Sequence, residues 1–165
     1  MAKKEDKTNV MRILDQKKIP YRHYVYENKD GKIDGIAVAQ KLGQPIERVF
    51  KTLVTKGGKE YYVFVVPVAE ELDLKAAARS VGAKSIEMIH VKEINALTGY
   101  IRGGCSPIGM KKQLQTVLDE SAMSQETIIV SGGRIGTQVE LSPSDLIDLI
   151  GAKAAPICMK KLEES

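Results

Sequence analysis

Residues 49–68 have the sequence VFKTLVTKGGKEYYVFVVPV, and this stretch decides the fold. Its two halves, Val49–Thr55 and Tyr61–Val68, are rich in β-branched and aromatic residues. The glycine-containing turn Lys56–Lys59 separates them, which predicts a β-hairpin. The second half is nearly all apolar, as is typical of a central strand that is covered on both faces. We therefore expect a sheet with this hairpin at its centre.

Further predicted elements lie on both sides of the hairpin. The predicted helices are Lys4–Lys18, which ends before Pro20, a short helix from Asp34 to Gly43, and helices at Asp73–Gly82, Val91–Leu97 and Ser142–Gly151. The predicted strands are Tyr21–Tyr26, Ser85–Ile89, Thr116–Leu118, Thr127–Val130 and Thr137–Leu141, and Asn28–Asp34 is a predicted polar turn. No repeat or linker interrupts this series, so we expect residues 1–165 to form one α+β or mixed α/β domain.

The bulk properties disfavour membrane and secreted proteins. Hydrophobic residues make up 43% of the chain and charged residues 28%, which is ordinary for a soluble globular protein. No apolar run approaches the roughly 20 residues that span a bilayer, and the polar N-terminus has no signal-peptide core. We therefore expect a cytoplasmic protein. The net charge of +4 permits a polyanionic partner without requiring one.

The cysteines and histidines indicate neither a disulfide nor a metal site. Cys105 and Cys158 are far apart and form no CxxC pair, which is typical of a protein in the reduced cytosol. His23 and His90 are too few and too separated for a metal site. No base lies close to Cys105 in the sequence to activate it as a nucleophile, so we interpret it as a spectator thiol. We expect neither a metal nor another cofactor.

Lys51 is the first candidate functional residue. Alternate residues of a strand share a face, so Lys51 is grouped with the apolar residues Val49 and Leu53. A lysine in this setting either extends its ammonium to water at the rim of the sheet, which is the more common arrangement, or lies in a cleft. In a cleft, the ammonium could bind a phosphate or a developing oxyanion.

Two glycine-rich stretches are candidates for a ligand site. In Gly99–Gly109, the backbone can approach a ligand closely and direct N–H groups at an oxyanion or a phosphate, or it can simply form a tight turn. The stretch Ser131–Gly136 is either a hairpin connection or a wall in which Ser131 forms hydrogen bonds and Arg134 meets a phosphate. Neither stretch matches a Walker loop or a GxGxxG motif.

Three stretches together resemble one family in order and spacing. Val49–Leu53 (VFKTL) resembles its V-[YF]-K-T-L strand, and Gly103–Gly109 (GGCSPIG) resembles its G-G-x-S-P-[IL]-G loop. Ser131–Arg134 (SGGR) resembles its S-G-G-[KR] hairpin. On these motifs the chain is similar, roughly over residues 10–150, to the YbaK/EbsC family of Cys-tRNA(Pro) and Cys-tRNA(Cys) deacylases. That family is related to the editing domain of bacterial prolyl-tRNA synthetases.

The resemblance implies a mixed, mostly antiparallel β-sheet surrounded by helices, with a pocket at the lysine. Lys51 corresponds to the family's essential lysine, and Gly103 and Gly104 would offer backbone N–H groups to a developing oxyanion. The substrate-binding positions that the resemblance implies are Tyr26, Thr52, Cys105, Ser106, Pro107, Ser131, Gly132, Arg134 and Gln138. Gln138 is a departure, because the family commonly has an aspartate there. If that carboxylate orients the substrate amine, this protein must use another group.

The implied function is trans-editing, the cleavage of the ester that joins cysteine to tRNA(Pro) and also to tRNA(Cys). The thiolate of the substrate would attack its own carbonyl, so the protein would need to position the substrate but would need no nucleophile. The implied partners are the acceptor end of the tRNA and prolyl-tRNA synthetase. Three alternatives stay open: another mischarged tRNA such as Ala-tRNA(Pro), a non-catalytic tRNA- or synthetase-binding module, and a cell-surface regulatory role, which the missing signal segment disfavours.

Overall fold

Five helices and eight strands make up the regular structure of the computed structural model, which describes residues 7–32 and 34–159. The helices are α1 (Asn9–Gln16), α2 (Gly35–Leu42), α3 (Leu74–Val81), α4 (Val91–Thr98) and α5 (Pro143–Ile150). The strands are β1 (Arg22–Val25), β2 (Phe50–Gly57), β3 (Glu60–Pro67), β4 (Glu87–Met88), β5 (Gln115–Asp119), β6 (Ile128–Arg134), β7 (Thr137–Leu141) and β8 (Lys153–Ala155).

The predicted hairpin lies at the centre of a five-stranded sheet. β2 and β3 pair antiparallel from Phe50 opposite Pro67 to Gly57 opposite Glu60. The strand order is β4-β2-β3-β5-β8, and the β3–β5 and β5–β8 pairs are parallel. Residues 63–66 of β3 have no exposed surface, so the prediction of a strand covered on both faces is confirmed.

A second sheet of three strands, in the order β1-β7-β6, holds the other half of the candidate site. An isolated parallel bridge between Val49 and Ile129 joins it to the start of β2. β6 was predicted to end at Val130 but continues to Arg134, with a register irregularity between Ser131 and Arg134. The glycines there let the strand bulge while it stays paired with β7, so a large part of this glycine-rich stretch is strand rather than connection.

The helix boundaries follow local capping signals. The carboxylates of Asp34 and Asp73 accept hydrogen bonds from the first turns of α2 and α3, and both helices end at left-handed glycines, as predicted. Ser142 differs from the prediction, because its side chain makes no capping hydrogen bond, although Pro143 does occupy the first turn of α5. The first helix was predicted to begin at Lys4, but α1 begins at Asn9, because the Thr8 hydroxyl caps it by accepting a hydrogen bond from the Met11 N–H at 3.2 Å. The predicted residues 4–6 lie outside the described residues.

Sequence analysis missed β8 and two short 3-10 turns, Ile46–Arg48 and Glu120–Ser124. β8 has only three residues and pairs parallel with β5, which is distant from it in sequence. Such a strand has too few residues to show an apolar period of its own. None of the helices in the described ranges is both long and apolar enough to cross a bilayer.

Two apolar clusters cover the two faces of the five-stranded sheet. Val63 and Val65 face a cluster that includes α1 and the three-stranded sheet, whereas Phe64 and Val66 face a cluster that includes Ala77 of α3. The alternation along β3 therefore buries one strand between two layers. The predicted class, a mixed and mostly antiparallel arrangement of strands surrounded by helices, is confirmed, with the strands divided between two bridged sheets.

Candidate active site

A cavity of about 110 Å³ lies where the start of β2 meets the three-stranded sheet. Its wall contains seven of the residues predicted for the site, which come from both sheets and from the glycine-rich loop: Tyr26, Lys51, Thr52, Gly103, Cys105, Ser131 and Gln138. The remaining lining residues are small or apolar: Gly35, Val38, Val49, Phe50 and Val68. The hairpin lysine and both glycine-rich stretches thus meet in one place.

Lys51 lies in a cleft rather than at an open rim of the sheet. Lys51 lines the cavity and also a wider groove of about 670 Å³ next to it. The two spaces share five residues, Gly35, Lys51, Thr52, Val68 and Gly103. The groove continues along residues that the cavity does not include: Gly31, Asp34, Ile36, Leu53 and Arg102. Lys51 is therefore at the boundary between a small chamber and a larger open groove.

Two hydroxyl groups in the cavity wall lack hydrogen-bond partners. The hydroxyls of Tyr26 and Thr52 are buried and unpaired within the described part of the chain. A buried hydroxyl without a partner destabilises a folded protein by about 1–3 kcal/mol, so such groups are uncommon unless a ligand or water meets them. The hydroxyl of Ser131 accepts a hydrogen bond from the Gly133 N–H at 3.2 Å and can still donate its own proton.

The loop from Gly99 to Gly109 packs tightly on the β6–β7 hairpin. A Cβ atom on Gly104 would lie 3.0 Å from the Arg134 Cα and from the Ile135 nitrogen, so only glycine fits without displacing the hairpin backbone. The Gly104 N–H donates to the Ile101 carbonyl at 2.9 Å, and Gly104 does not line the cavity. Its predicted part as an oxyanion donor would require this turn to open. Gly103, with φ of 87°, does line the cavity.

Four other predicted site residues lie behind the cavity wall. Ser106 is fully buried, and its hydroxyl accepts a hydrogen bond from the Ile108 N–H at 3.2 Å. Pro107 is buried beside it. Gly132 lies against Thr137, where a Cβ atom would be 2.9 Å from the threonine methyl group. The Arg134 Nε donates to the Thr137 hydroxyl at 3.2 Å, so these residues support the wall.

Comparison with known proteins identifies the family to which this chain belongs. A family model described as the aminoacyl-tRNA editing domain matches residues 34–149, a range that includes Lys51 and both glycine-rich stretches. The chain belongs to the aminoacyl-tRNA editing domain family. This editing domain is accordingly an enzyme of the aminoacyl-tRNA deacylase class.

Relatives and solved structures agree with this family assignment. EbsC of Enterococcus faecalis, provisionally named a Cys-tRNA(Pro)/Cys-tRNA(Cys) deacylase, is 47% identical over 98% of this chain and 100% of its own length. A proline–tRNA ligase of Thermosipho melanesiensis is 25% identical over 76% of this chain, which spans 24% of the ligase. A solved structure provisionally described as a trans-editing enzyme for prolyl-tRNA synthetase has a TM-score of 0.78 and 25% identity, covering 93% of this chain and 99% of that one. The resemblance to the YbaK/EbsC family is confirmed.

The thiol in the cavity wall of the editing domain is held in its neutral form. Burial raises the pKa of the Cys105 thiol to about 11, although contact with Thr98 opposes the rise. His23 and His90 are both exposed, and the described residues contain no cluster of histidine, cysteine or carboxylate side chains suited to a metal ion. An unactivated thiol of this kind agrees with the interpretation of Cys105 as a spectator.

Sequence reasoning missed a buried carboxylate two residues beyond Gln138 on β7. The carboxylate of Glu140 accepts hydrogen bonds from the hydroxyls of Tyr24 and Thr127, and the Arg48 Nη1 lies 3.7 Å from its Oε2. Burial alone would raise the pKa of Glu140, but the two hydroxyls and the nearby arginines lower it below its usual range. This hydrogen-bond and charge network connects β7 to β1 and to the 3-10 turn before β2. No local sequence signal predicts it, because its members are distant in the chain.

A second missed contact holds the loop that leads into the groove. The Lys41 ammonium donates to the Glu27 carbonyl at 2.6 Å and to the Asp30 carboxylate at 2.8 Å. The same ammonium lies 5.7 Å from the centre of the Tyr26 ring, within the range of a cation–π contact. Lys41 thus ties α2 to the segment that follows β1 and carries Tyr26.

Proposed function

We propose that this editing domain cleaves the ester that joins cysteine to tRNA(Pro), and also to tRNA(Cys). The observation that carries the proposal is the shared boundary of the cavity and the groove, which includes Lys51, Thr52 and Gly103. A chamber of about 110 Å³ suits an amino-acid side chain, and a groove of about 670 Å³ suits a nucleoside. An ester that links an amino acid to a terminal ribose would then lie at Lys51.

The proposed reaction uses the thiol of the substrate as the nucleophile. The thiolate sulfur bonds to the carbonyl carbon of the same cysteine, and the bond from that carbon to the ribose oxygen breaks. The ribose oxygen takes up a proton, and the four-membered thiolactone that forms is later opened by water to give cysteine. Because the attack is intramolecular, correct positioning can supply about 7–11 kcal/mol of the barrier reduction.

Each wall of the cavity has a proposed role in this reaction. The Lys51 ammonium stabilises the thiolate and the departing ribose oxygen by its charge. The Gly103 backbone lies at the boundary between the cavity and the groove, where an N–H group can donate a hydrogen bond to the oxyanion. One such donor stabilises the transition state by about 3–4 kcal/mol. The unpaired hydroxyls of Tyr26 and Thr52 hold polar groups of the aminoacyl part.

Chemistry that requires a thiol also accounts for selectivity. A pocket that differs by one methylene discriminates between two substrates by only about 10–200-fold, and cysteine and proline are close in size. Proline has no side-chain nucleophile, so its ester to tRNA would not be cleaved in the same cavity. No histidine or carboxylate lines the cavity to activate the hydroxyls of Tyr26, Thr52 and Ser131, and the Cys105 thiol is neutral, which supports this mechanism.

A panel of charged tRNAs tests the function. Purified protein is expected to release cysteine from Cys-tRNA(Pro) at least tenfold faster than alanine or serine from their esters on the same tRNA. Equal or faster release of alanine would replace the proposal with Ala-tRNA(Pro) editing. Release of none of the three, together with retained tRNA binding, would favour a non-catalytic module.

A lysine variant tests the site. Lys51→Ala should lower turnover by at least a hundredfold with an unchanged melting temperature, because Lys51 lines both spaces. Lys59→Ala, at the exposed tip of the same hairpin, is the matched control and should keep full turnover. Retained turnover in Lys51→Ala would place the chemistry elsewhere.

The proposed setting is the cytoplasm, with the whole chain 1–165 acting as one editing domain. Prolyl-tRNA synthetase is the proposed partner, because the chain is similar to one segment of proline–tRNA ligases. Addition of the synthetase should raise turnover of Cys-tRNA(Pro) at limiting tRNA. Unchanged turnover and no co-migration on gel filtration would argue for an independent enzyme.

A further inference from the structure

The cavity of the editing domain has no carboxylate in its wall. Among its twelve lining residues, all of which are described, Lys51 is the only formally charged one. An α-amino group has a pKa of about 7.7–8.0, so most aminoacyl esters carry an ammonium at neutral pH. A second cation in a partly closed space beside Lys51 would be repelled and poorly solvated. The charge of the wall therefore disfavours the ammonium form.

The polar groups that face the cavity suit an uncharged amine. Gln138 is 5% exposed and lies in register with Tyr24 on one side and Ser131 on the other. Gln138 also lines the cavity, together with Tyr26 and Ser131. A neutral amine donates and accepts hydrogen bonds, and the amide of Gln138 and the hydroxyls of Tyr26 and Thr52 can do the same.

The other charged groups near the cavity lie outside its wall. The carboxylate of Glu140, on the same face of β7 as Gln138, is already bound by Tyr24, Thr127 and Arg48. The Asp34 carboxylate lines the groove and accepts a hydrogen bond from the Ala37 N–H at 3.0 Å. Other charged groups on these elements are of both signs. Arg102 lines the groove, Lys41 pairs with Asp30 beside the Tyr26 ring, and Glu27 pairs with Lys29. Glu70, two residues after Val68, acts with Lys51 on the Cys158 thiol.

We propose that the cavity accepts the aminoacyl ester with its α-amine uncharged, and that the neutral side chain of Gln138 sets this preference. The inference rests on the proposed function. A carboxylate at position 138 would pair with an ammonium and reverse the preference. With glutamine there, the amine must lose its proton to the solvent on entry. Binding should therefore be accompanied by proton release.

Calorimetry on the wild-type protein measures this release directly. The probe is the seryl amide of 3′-amino-3′-deoxyadenosine, which resists hydrolysis and has no thiol to titrate. At pH 6, only about 2% of an amine with a pKa of 7.7 is neutral, so binding should release about one proton per ligand. The release is obtained from binding enthalpies in buffers of different ionisation enthalpy. The matching 3-hydroxypropanoyl amide, which lacks the amine, should release none; equal release by both probes would assign the proton to Lys51 and overturn the proposal.

The Gln138→Glu variant tests whether Gln138 sets the preference for an uncharged amine. Glutamate is isosteric with glutamine, and the nearby Lys51 favours its ionised form, so proton release at pH 6 should fall toward zero. Gln115→Glu, an exposed change on β5, should leave the release at about one. Unchanged release in Gln138→Glu, or no release in the wild type, would overturn the inference. Deacylation of Cys-tRNA(Pro) is measured on the same preparation to distinguish failure of this inference from failure of the proposed function. Deacylation without proton release on probe binding would contradict only the inference. Absence of both probe binding and deacylation would contradict the proposed function.

Discussion

Tyr26 and Thr52 line the same cavity, and neither buried hydroxyl has a hydrogen-bond partner among residues 7–32 and 34–159. Tyr26 directly follows β1 of the three-stranded sheet, whereas Thr52 belongs to β2 of the five-stranded sheet. Two sheets thus contribute one unpaired hydroxyl each to one small space. Native structures rarely keep such groups without a ligand, because each destabilises the fold.

Thr52→Val is expected to separate stability from activity. Removing a buried hydroxyl that has no partner should leave the melting temperature unchanged or raised, while turnover of Cys-tRNA(Pro) falls by about tenfold, the equivalent of one lost hydrogen bond to substrate. Thr55→Val is the matched control on the same strand, because the Thr55 hydroxyl donates to the Tyr62 carbonyl at 2.9 Å. The control should lower the free energy of unfolding by about 1 kcal/mol and leave turnover intact. The opposite pattern would contradict a ligand role for Thr52.

Gly104→Ala is expected to disturb the active site through the backbone. The new methyl group would lie 3.0 Å from the Arg134 Cα and the Ile135 nitrogen, so the loop or the hairpin must move by several tenths of an ångström. Turnover should fall by at least tenfold and the free energy of unfolding by about 1–3 kcal/mol. Gly58 lies in open space at the hairpin tip with φ of 65°, so Gly58→Ala should lower the free energy of unfolding by only about 1 kcal/mol and leave turnover unchanged. Thermal melts and deacylation assays measure both.

Glu140→Gln is expected to flatten the acid dependence of stability. The hydroxyls of Tyr24 and Thr127 and the nearby arginines hold the pKa of Glu140 below its usual value. A depressed pKa in the folded state contributes stability above the unfolded pKa, about 4.3, and this contribution is lost as the pH falls through the folded value. Wild-type unfolding free energy should therefore drop between about pH 5 and 3 more steeply than that of the variant.

Urea titrations at pH 7 and at pH 3.5 measure this difference. The variant should be about 1–3 kcal/mol less stable at pH 7, because one buried oxygen loses its charge-assisted hydrogen bonds, and the two proteins should converge in acid. Parallel curves for wild type and variant over the whole range would show that Glu140 does not titrate in the folded protein.

Cys105 is expected to react slowly with alkylating reagents. Burial raises its thiol pKa to about 11, so only about 0.01% is thiolate at pH 7, and the rate of iodoacetamide labelling should rise about tenfold per pH unit between pH 7 and 10. Turnover in Cys105→Ala should change by a few-fold at most, through altered packing of the cavity wall. A loss of several orders of magnitude would make the protein thiol, rather than the substrate thiol, the nucleophile.

Local sequence signals predicted much of the fold. The apolar run of β3, the glycine turn before it, and the aspartate and glycine caps of α2 and α3 all act within a few residues of one another. Each prediction held because the interactions that decide the element are short in range. The parallel pairing of β5 and β8 and the bulged end of β6 were missed, because they depend on strands distant in the chain.

The residues of the candidate site were found through motifs, but their arrangement was not. Lys51, Gly103, Ser131 and Gln138 line one cavity, whereas Gly104, Ser106, Pro107, Gly132 and Arg134 do not line it. The N–H of Gly104, predicted to face an oxyanion, is bonded within its own turn. A sequence motif indicates which residues the site requires. It does not distinguish a residue that lines the cavity from one that packs against the lining residues.

The sequence by itself determined most of the strands, most of the helix ends, the family and the candidate site residues, because these follow from periodicity, caps and short motifs. Only the tertiary structure decided that Lys51 stands between a small chamber and a groove, that the chamber has no carboxylate, and that two hydroxyls remain unpaired in it. The physical reason is that a cavity is a property of surfaces brought together from distant parts of the chain, and its charge is the sum of what each surface contributes.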